Sequence, residues 1–307
     1  MAGAKRRNLR PTVKPPSSGR SAQIHLLSCR FRSRGKKPSV KIIRGKKALV
    51  TGAASGVGRA IALALAREGA DLFLVDIDEP QLRISARDAQ ALGSNVLIDV
   101  CDLSKPTQIS ACTVACLRAF GALDILVNCA GLTFYGHADE MTAEKWNAVM
   151  SVNLFAPIQL VRELLPALTA QKESHVLNVC SVLGLVPVRK LMGYQTSKFA
   201  LVGFSLALRT EYFAQNVGVT ALCPGFVDTP MLERFGPAWF KKLLHLGPLS
   251  FVVSADVVAR QAVASIRNNR GIVVVSFVAK IIWLIYRFSP TLVLWLFRRK
   301  PKSRRLR

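Results

Sequence analysis

From residue 47 onward the chain is punctuated by short, near-continuous apolar segments, and this feature most restricts how it can fold. The segments are "KALVT" (47–51), "DLFLVDI" (71–77), "NVLIDV" (95–100), "LDILVN" (123–128), "HVLNVCS" (175–181) and "GVTALC" (218–223), separated by helix-length stretches, the first at about 56–69. A strand apolar on both sides must be covered on both faces, which helices between parallel strands do. The pattern therefore predicts an α/β, doubly wound parallel sheet, with ligands at the carboxyl ends of the strands. With 307 residues, half of them apolar, the chain can bury one sizeable core. A single domain over 46–277 is expected, closing on a last strand in "GIVVVSF", between a basic extension (1–45) and a carboxyl-terminal tail (278–307).

The formal net charge of +25 invites a nucleic-acid reading, so its distribution matters. Residues 1–47 hold 15 Lys/Arg and no acid, residues 298–307 hold seven and no acid, and the body between has 21 basic and 18 acidic residues. The body is thus a near-neutral globular domain with two basic ends and no nucleic-acid reading module. The Arg-, Ser- and Pro-rich leader has too little apolar content to pack and lacks a secretory apolar core; a solvated tail, contact with an anionic surface and a mitochondrial transit peptide stay open. The expected location is intracellular, cytoplasmic or peripheral to a membrane. Seven scattered cysteines with no CxxC pair and four isolated histidines give no metal-ligand spacing, so no metal is expected and the thiols read as buried apolar groups.

"TGAASGVG", Thr51 to Gly58, follows the first strand and opens the first helix. Gly52, Gly56 and Gly58 permit a tight turn and close backbone approach, and the helix amino terminus offers free N–H groups to a pyrophosphate, with Ser55 and Val57 in the same turn. Asp76, 18 residues after Gly58, stands near the spacing of an acid that accepts hydrogen bonds from an adenosine ribose and repels a 2′-phosphate. NAD(H) is expected over NADP(H); the alternative calls for a basic residue beside the phosphate, for which Arg59 is the remaining candidate.

In "GYQTSK" Tyr194 and Lys198 lie four residues apart, on one helix face. A phenol with an ordinary pKa of about 10 is a poor base at neutral pH. An ammonium about 4 Å away at an effective dielectric near 20 is worth about 4 kcal/mol, which would bring the phenol toward the working range.

Taken in order, "TGAASGVG", Asp102 in "DVCDLS", "NCAG" at 128–131, Asn153 in "SVNLFAP", Ser181, "YQTSK" and "PGFVDTP" at 224–230 resemble the short-chain dehydrogenase/reductase family over roughly residues 46–277. Cys129 departs from the asparagine common there, while Asn128 and Gly131 remain. The resemblance implies a Rossmann fold and a catalytic set of Asn153, Ser181, Tyr194 and Lys198. Ser181 would bond the substrate oxygen, Lys198 would also hold the nicotinamide ribose, and Asn153 would help a water chain carry the proton out. It further implies cofactor contacts from Thr51, Asp102, Asn128, Ala130, Gly131, Pro224, Gly225, Val227 and Thr229, the last two at the carboxamide, and a homodimer or homotetramer.

The expected function is interconversion of an alcohol and its carbonyl by hydride transfer. The alternative is a non-catalytic nucleotide-sensing scaffold, which has no chemical need for the full catalytic set. "VLGLVPVRKLMG" (182–193) and the apolar segment 231–251, a lid or a packed surface helix, suit a lipophilic substrate of steroid, retinoid or fatty-chain type. In the tail, positions 278–297 contain eleven Leu, Ile, Val or Phe, but Arg287 and Pro290 bring a membrane span close to break-even. Two short amphipathic helices in a membrane interface are expected, the second capped by Ser289 and started by Pro290, with completion of a soluble core or a dimer interface as the alternative.

Overall fold

Seven parallel strands, in the spatial order 96–100, 71–76, 47–51, 125–128, 174–179, 217–224 and 272–275, form the central sheet, with helices on both faces. The computed structural model describes residues 39–233 and 252–298. The leader up to residue 38, most of the expected lid and the last basic residues (299–307) lie outside the described residues.

The chain alternates as the apolar pattern requires. It runs β1 (Lys47–Thr51), α1 (Gly56–Arg67), β2 (Asp71–Asp76), α2 (Glu79–Ala91), β3 (Val96–Val100), α3 (Pro106–Phe120) and β4 (Ile125–Asn128). Next come α4 (Ala143–Met150), a π-helical turn (Ser151–Phe155), α5 (Ala156–Thr169), β5 (Ser174–Val179), α6 (Met192–Tyr212) and β6 (Val217–Pro224). The described remainder is β7 (Phe226–Asp228), α7 (Pro230–Glu233), β8 (Val252–Ser254), α8 (Ala255–Asn268), β9 (Ile272–Val275), α9 (Phe277–Phe288) and α10 (Pro290–Arg298). The strand order reverses between β1 and β4, so the helices leaving their carboxyl ends cover opposite faces and leave a crevice at that edge.

Side-chain alternation divides the core. Ala48, Val50, Leu72 and Leu74 pack on one face against α1, α2 and α8, while Leu49, Phe73 and Val75 pack on the other against α3 and α5. Turn chemistry closes the helices where packing stops. Asp78 accepts a hydrogen bond from the Gln81 amide (3.2 Å) to start α2, Thr142 and Ser254 start α4 and α8 in the same way, and left-handed Gly121 ends α3. Val40 and Ile43 are fully buried in the first cluster, so packing begins ahead of β1. The two-stranded parallel ribbon β7–β8 was not foreseen: its strands are three residues each and far apart in sequence. Two tail helices separated at Ser289 are present, with Ala279 and Val293 buried in a third apolar cluster beyond the carboxyl ends of β5 and β6.

Within β5, His175 is fully buried. Thr220 Oγ1 donates to the Arg270 carbonyl (2.6 Å), so its oxygen accepts from His175 Nε2 (2.9 Å), while Nδ1 has no hydrogen-bond partner. Burial, helped by the nearby Arg209 charge, lowers its pKa to about 3. A base whose folded pKa lies below its unfolded value of about 6.5 contributes stability above that pH and loses it on acidification. Unfolding free energy should therefore fall between about pH 6.5 and 3 by something on the order of 4 kcal/mol from this group. Denaturant melts of His175→Gln should show a correspondingly flatter pH dependence.

Candidate active site

The crevice at the strand reversal holds a cavity of about 430 Å³. One end is walled by Gly52, Ser55, Gly56, Val57 and Gly58 together with Asp76 and Asp102; the other is walled by Ser181, Tyr194, Lys198 and the Pro224–Gly225–Phe226–Val227 turn with Thr229. Ala130 and Gly131 lie along it. The sheet explains this convergence, because every one of these positions lies at or after the carboxyl end of a parallel strand.

At the glycine end, backbone shape does the work. Gly56 has φ +53°, and a Cβ there would stand 3.1 Å from Thr229 Cγ2 across the cleft. A Cβ on Gly58 would fall 2.0 Å from the Gly52 carbonyl oxygen, so only glycine lets α1 start this close to the turn before it. Ser55 precedes α1 without capping it by its side chain, leaving the first-turn N–H groups to the cavity. Asp76 Oδ2 accepts from the Ala54 amide (2.9 Å), and Oδ1 accepts from Ile77 and Asp78 (2.8 and 3.1 Å). These bonds fix the carboxylate at the mouth of the cleft. Arg59 is ion-paired with Asp88 on α2. Asp102 is held below the usual carboxylate range by hydrogen bonds from Ser104.

At the other end, Tyr194 and Lys198 occupy successive turns of α6, both almost fully buried. Ser181 lines the cavity with the phenol, and its Oγ accepts from the Leu183 amide (3.1 Å), which starts the single turn Val182–Gly184. Lys198 Nζ donates to the Val179 carbonyl (2.8 Å) and lies 5.7 Å from the Tyr194 ring centroid.

The expected lowering of the phenol by Lys198 is not what the protein alone produces. Burial pushes Tyr194 up to about 12, with the Ser181 bond opposing it and the thiols of Cys180, Cys129 and Cys223 adding to it. Burial also lowers the pKa of Lys198. Desolvation of both groups outweighs their mutual effect.

Asn153 lies in the π-helical turn, its side chain fully buried. Its carboxamide holds Leu132 from both sides, accepting from the amide (2.7 Å) and donating to the carbonyl (2.9 Å), and also donates to Ser197 Oγ (3.0 Å). Ser197 in turn donates to the Tyr194 carbonyl (2.7 Å). Thr51 and Asn128 stand behind the cavity wall. Thr51 Oγ1 accepts from the amides of Cys129 and Ala130 (3.0 and 3.3 Å). Asn128 donates to Asn178 (2.8 Å), which donates to Ser205 (2.8 Å). Sequence reading named both as contacts; their geometry is that of supports for the loop after β4.

Met231 and Leu232, the start of the expected lid segment, line the cavity, and sequence reading missed Ile77, Leu103, Leu132 and Phe226, which line it too. Apolar residues in loops carry no chemical signal, and only adjacency to Asp76, Asp102 and the "PGFVDTP" turn could have singled them out.

The family model for short chain dehydrogenases matches residues 46–238. The chain belongs to the short-chain dehydrogenase family. Among its relatives, a granaticin polyketide synthase putative ketoacyl reductase of Streptomyces violaceoruber is 40% identical over 189 residues, which cover 61% of this chain and 70% of that one. A 3-oxoacyl-[acyl-carrier-protein] reductase of Thermotoga maritima is 33% identical over 192 residues, covering 62% and 78%. A solved short chain dehydrogenase of Mycobacterium paratuberculosis, bound to NAD, shares the fold with a TM-score of 0.68 at 24% identity, over 76% of this chain and 97% of that chain.

The glycine packing yields a direct check. Gly58→Ala forces its Cβ into the Gly52 carbonyl and should cost about 1–3 kcal/mol, read as a fall in Tm of roughly 3–10 °C.

Proposed function

We propose that this dehydrogenase interconverts a lipophilic alcohol and its carbonyl with a nicotinamide cofactor, NAD(H) in preference to NADP(H). The observation that carries the reading is the convergence of Ser181, Tyr194 and Lys198 on one cavity with a glycine turn and an anchored ribose-type carboxylate. The residues fit the group. Uncapped N–H groups at the start of α1 suit its pyrophosphate, Asp76 its adenosine ribose, and the Pro224–Thr229 turn its nicotinamide. Bound there, the cofactor would supply the hydride donor or acceptor and, when oxidised, a further positive charge near the phenol.

The chain's own groups would handle the proton. In carbonyl reduction, Ser181 and Tyr194 hydrogen-bond the substrate oxygen, and Tyr194 gives its proton to that oxygen as charge develops there. In alcohol oxidation the phenolate takes the hydroxyl proton. A phenol held near 12 rests protonated at neutral pH, so the unliganded site is set for reduction. Lys198 holds a positive charge close by, favouring the phenolate once the proton leaves. Asn153 keeps the loop after β4 fixed against α6 and, through its place in the π-helical turn, is the residue from which a relay of water to Lys198 would start.

Arg59 is engaged by Asp88, and Asp76 faces the cleft beside an exposed Ile77, which supports NAD(H). Leu132, Val182, Leu183, Phe226 and Met231 around the reacting end support an apolar substrate, and ketoacyl groups, named for two relatives, have the carbonyl on an acyl chain that such a lining accepts. Assembly as a homodimer or homotetramer belongs to the same reading.

Turnover of a panel of lipophilic alcohols and ketones with both cofactors tests it. Tyr194→Phe should lower kcat by about 10²- to 10⁴-fold while cofactor affinity holds. For the unaltered enzyme, kcat for reduction should be flat through neutral pH and fall only as the phenol titrates in the alkaline range. Preference for small polar alcohols would remove the substrate assignment, and full activity of the variant would remove the catalytic one. Separately, Asp76→Asn should narrow the ratio of kcat/KM between NAD(H) and NADP(H), by removing the carboxylate that repels a 2′-phosphate.

A further inference from the structure

The tail helices present two unlike faces. On α9, Ala279, Ile282, Trp283 and Tyr286 turn inward to the third apolar cluster, which also holds Tyr194, Leu183 and Leu232 of the cavity wall. Val293 of α10 is buried in the same cluster. The tail is joined rigidly to the site: Ser276, at φ +88°, caps α9 through the Ala279 amide (3.2 Å), and a Cβ on Gly225 would meet its Oγ at 3.0 Å.

The outward face of α9 is apolar and exposed. Phe277, Ile281, Leu284, Ile285 and Phe288 fall within an arc of about 100° on α9. Phe288 is 81% exposed and Phe277 67%, and the stripe continues onto α10 at Leu292 and Trp295. Exposed Lys280 and Arg287 border the arc along one edge. No acid occurs after Asp256, and residues 298–307 add seven Lys/Arg.

We propose that this face docks on an anionic lipid surface, with the two helices lying in the plane of the interface. Neither helix as described is long enough to span: α9 has 12 residues and the described part of α10 nine, about 18 and 14 Å against an apolar thickness of about 30 Å. A basic border along an apolar stripe is the arrangement that puts side chains into the acyl region and cations among headgroups. A second copy of the chain fits less well, because a two-fold contact would bring these acid-free, basic segments against their own equivalents. The long apolar helix Ala143–Thr169 does not compete for the role: half of its apolar window is buried in the body, and it carries Asn153.

Co-sedimentation of the full-length protein with vesicles tests the proposal, using phosphatidylcholine alone and phosphatidylcholine with about one-third phosphatidylserine. Partitioning onto the anionic vesicles should exceed that onto the neutral ones by about tenfold or more, and fall in about 1 M salt. The double variant Leu284→Glu/Phe288→Glu should lose at least about tenfold of that partitioning. It should keep its thermal melt and its activity on a water-soluble carbonyl. Replacing the seven basic residues of 298–307 by Gln should lower anionic binding and leave the neutral value unchanged. No binding to anionic vesicles, or equal binding by the double variant, would overturn the proposal. So would a dimer, seen by sedimentation equilibrium and abolished by the double variant, in a protein that ignores both vesicles.

Discussion

Buried carboxamides and hydroxyls hold the carboxyl ends of the strands in place, and the site takes its shape from their hydrogen bonds. Thr51 secures the loop after β4 to β1, Asn128 and Asn178 tie β4 through β5 to α6, and Asn153 closes the loop onto the turn below Tyr194. Each bond spans elements far apart in sequence. A buried polar group left unpaired costs about 1–3 kcal/mol, so the arrangement admits few alternatives. The phenol and ammonium inherit their positions from this seam.

That rigidity has an electrostatic consequence. A site dry enough to hold Tyr194 and Lys198 almost out of solvent disfavours both of their charged forms. The reasoning that treats Lys198 as a point charge lowering its neighbour omits the larger desolvation of the phenol itself. The two conclusions concern different states: burial alone favours the protonated phenol, and a positive charge bound beside it would favour the phenolate.

The tail helices carry two unlike faces. Its inner face completes the apolar cluster that backs the cavity, so it belongs to the body mechanically. Its outer face is too apolar to be ordinary surface, with Phe288 almost wholly exposed. Core completion describes the inner side of these helices, and the proposed interface contact would fall on the opposite, exposed side.

The sequence by itself determined the parallel sheet, because apolar runs such as "LDILVN" can be buried only between two layers of helices, and this requirement is local enough to read from one segment at a time. It also determined the glycine turn, the position of Asp76 at a strand end and the pairing of Tyr194 with Lys198, since each depends on spacing within one element or across one strand–helix junction. Tertiary structure alone decided which residues face the cavity and which stand behind it. Thr51 and Asn128 sit in motifs as plain as Gly52 and Gly131, yet their side chains turn into the polar seam. It alone decided that β7 pairs with β8, that Ile77, Leu103 and Phe226 line the cleft, and how far burial shifts the phenol. The reason is the same in each case: side-chain direction and desolvation depend on neighbours brought from distant parts of the chain, and spacing along the sequence carries no record of them.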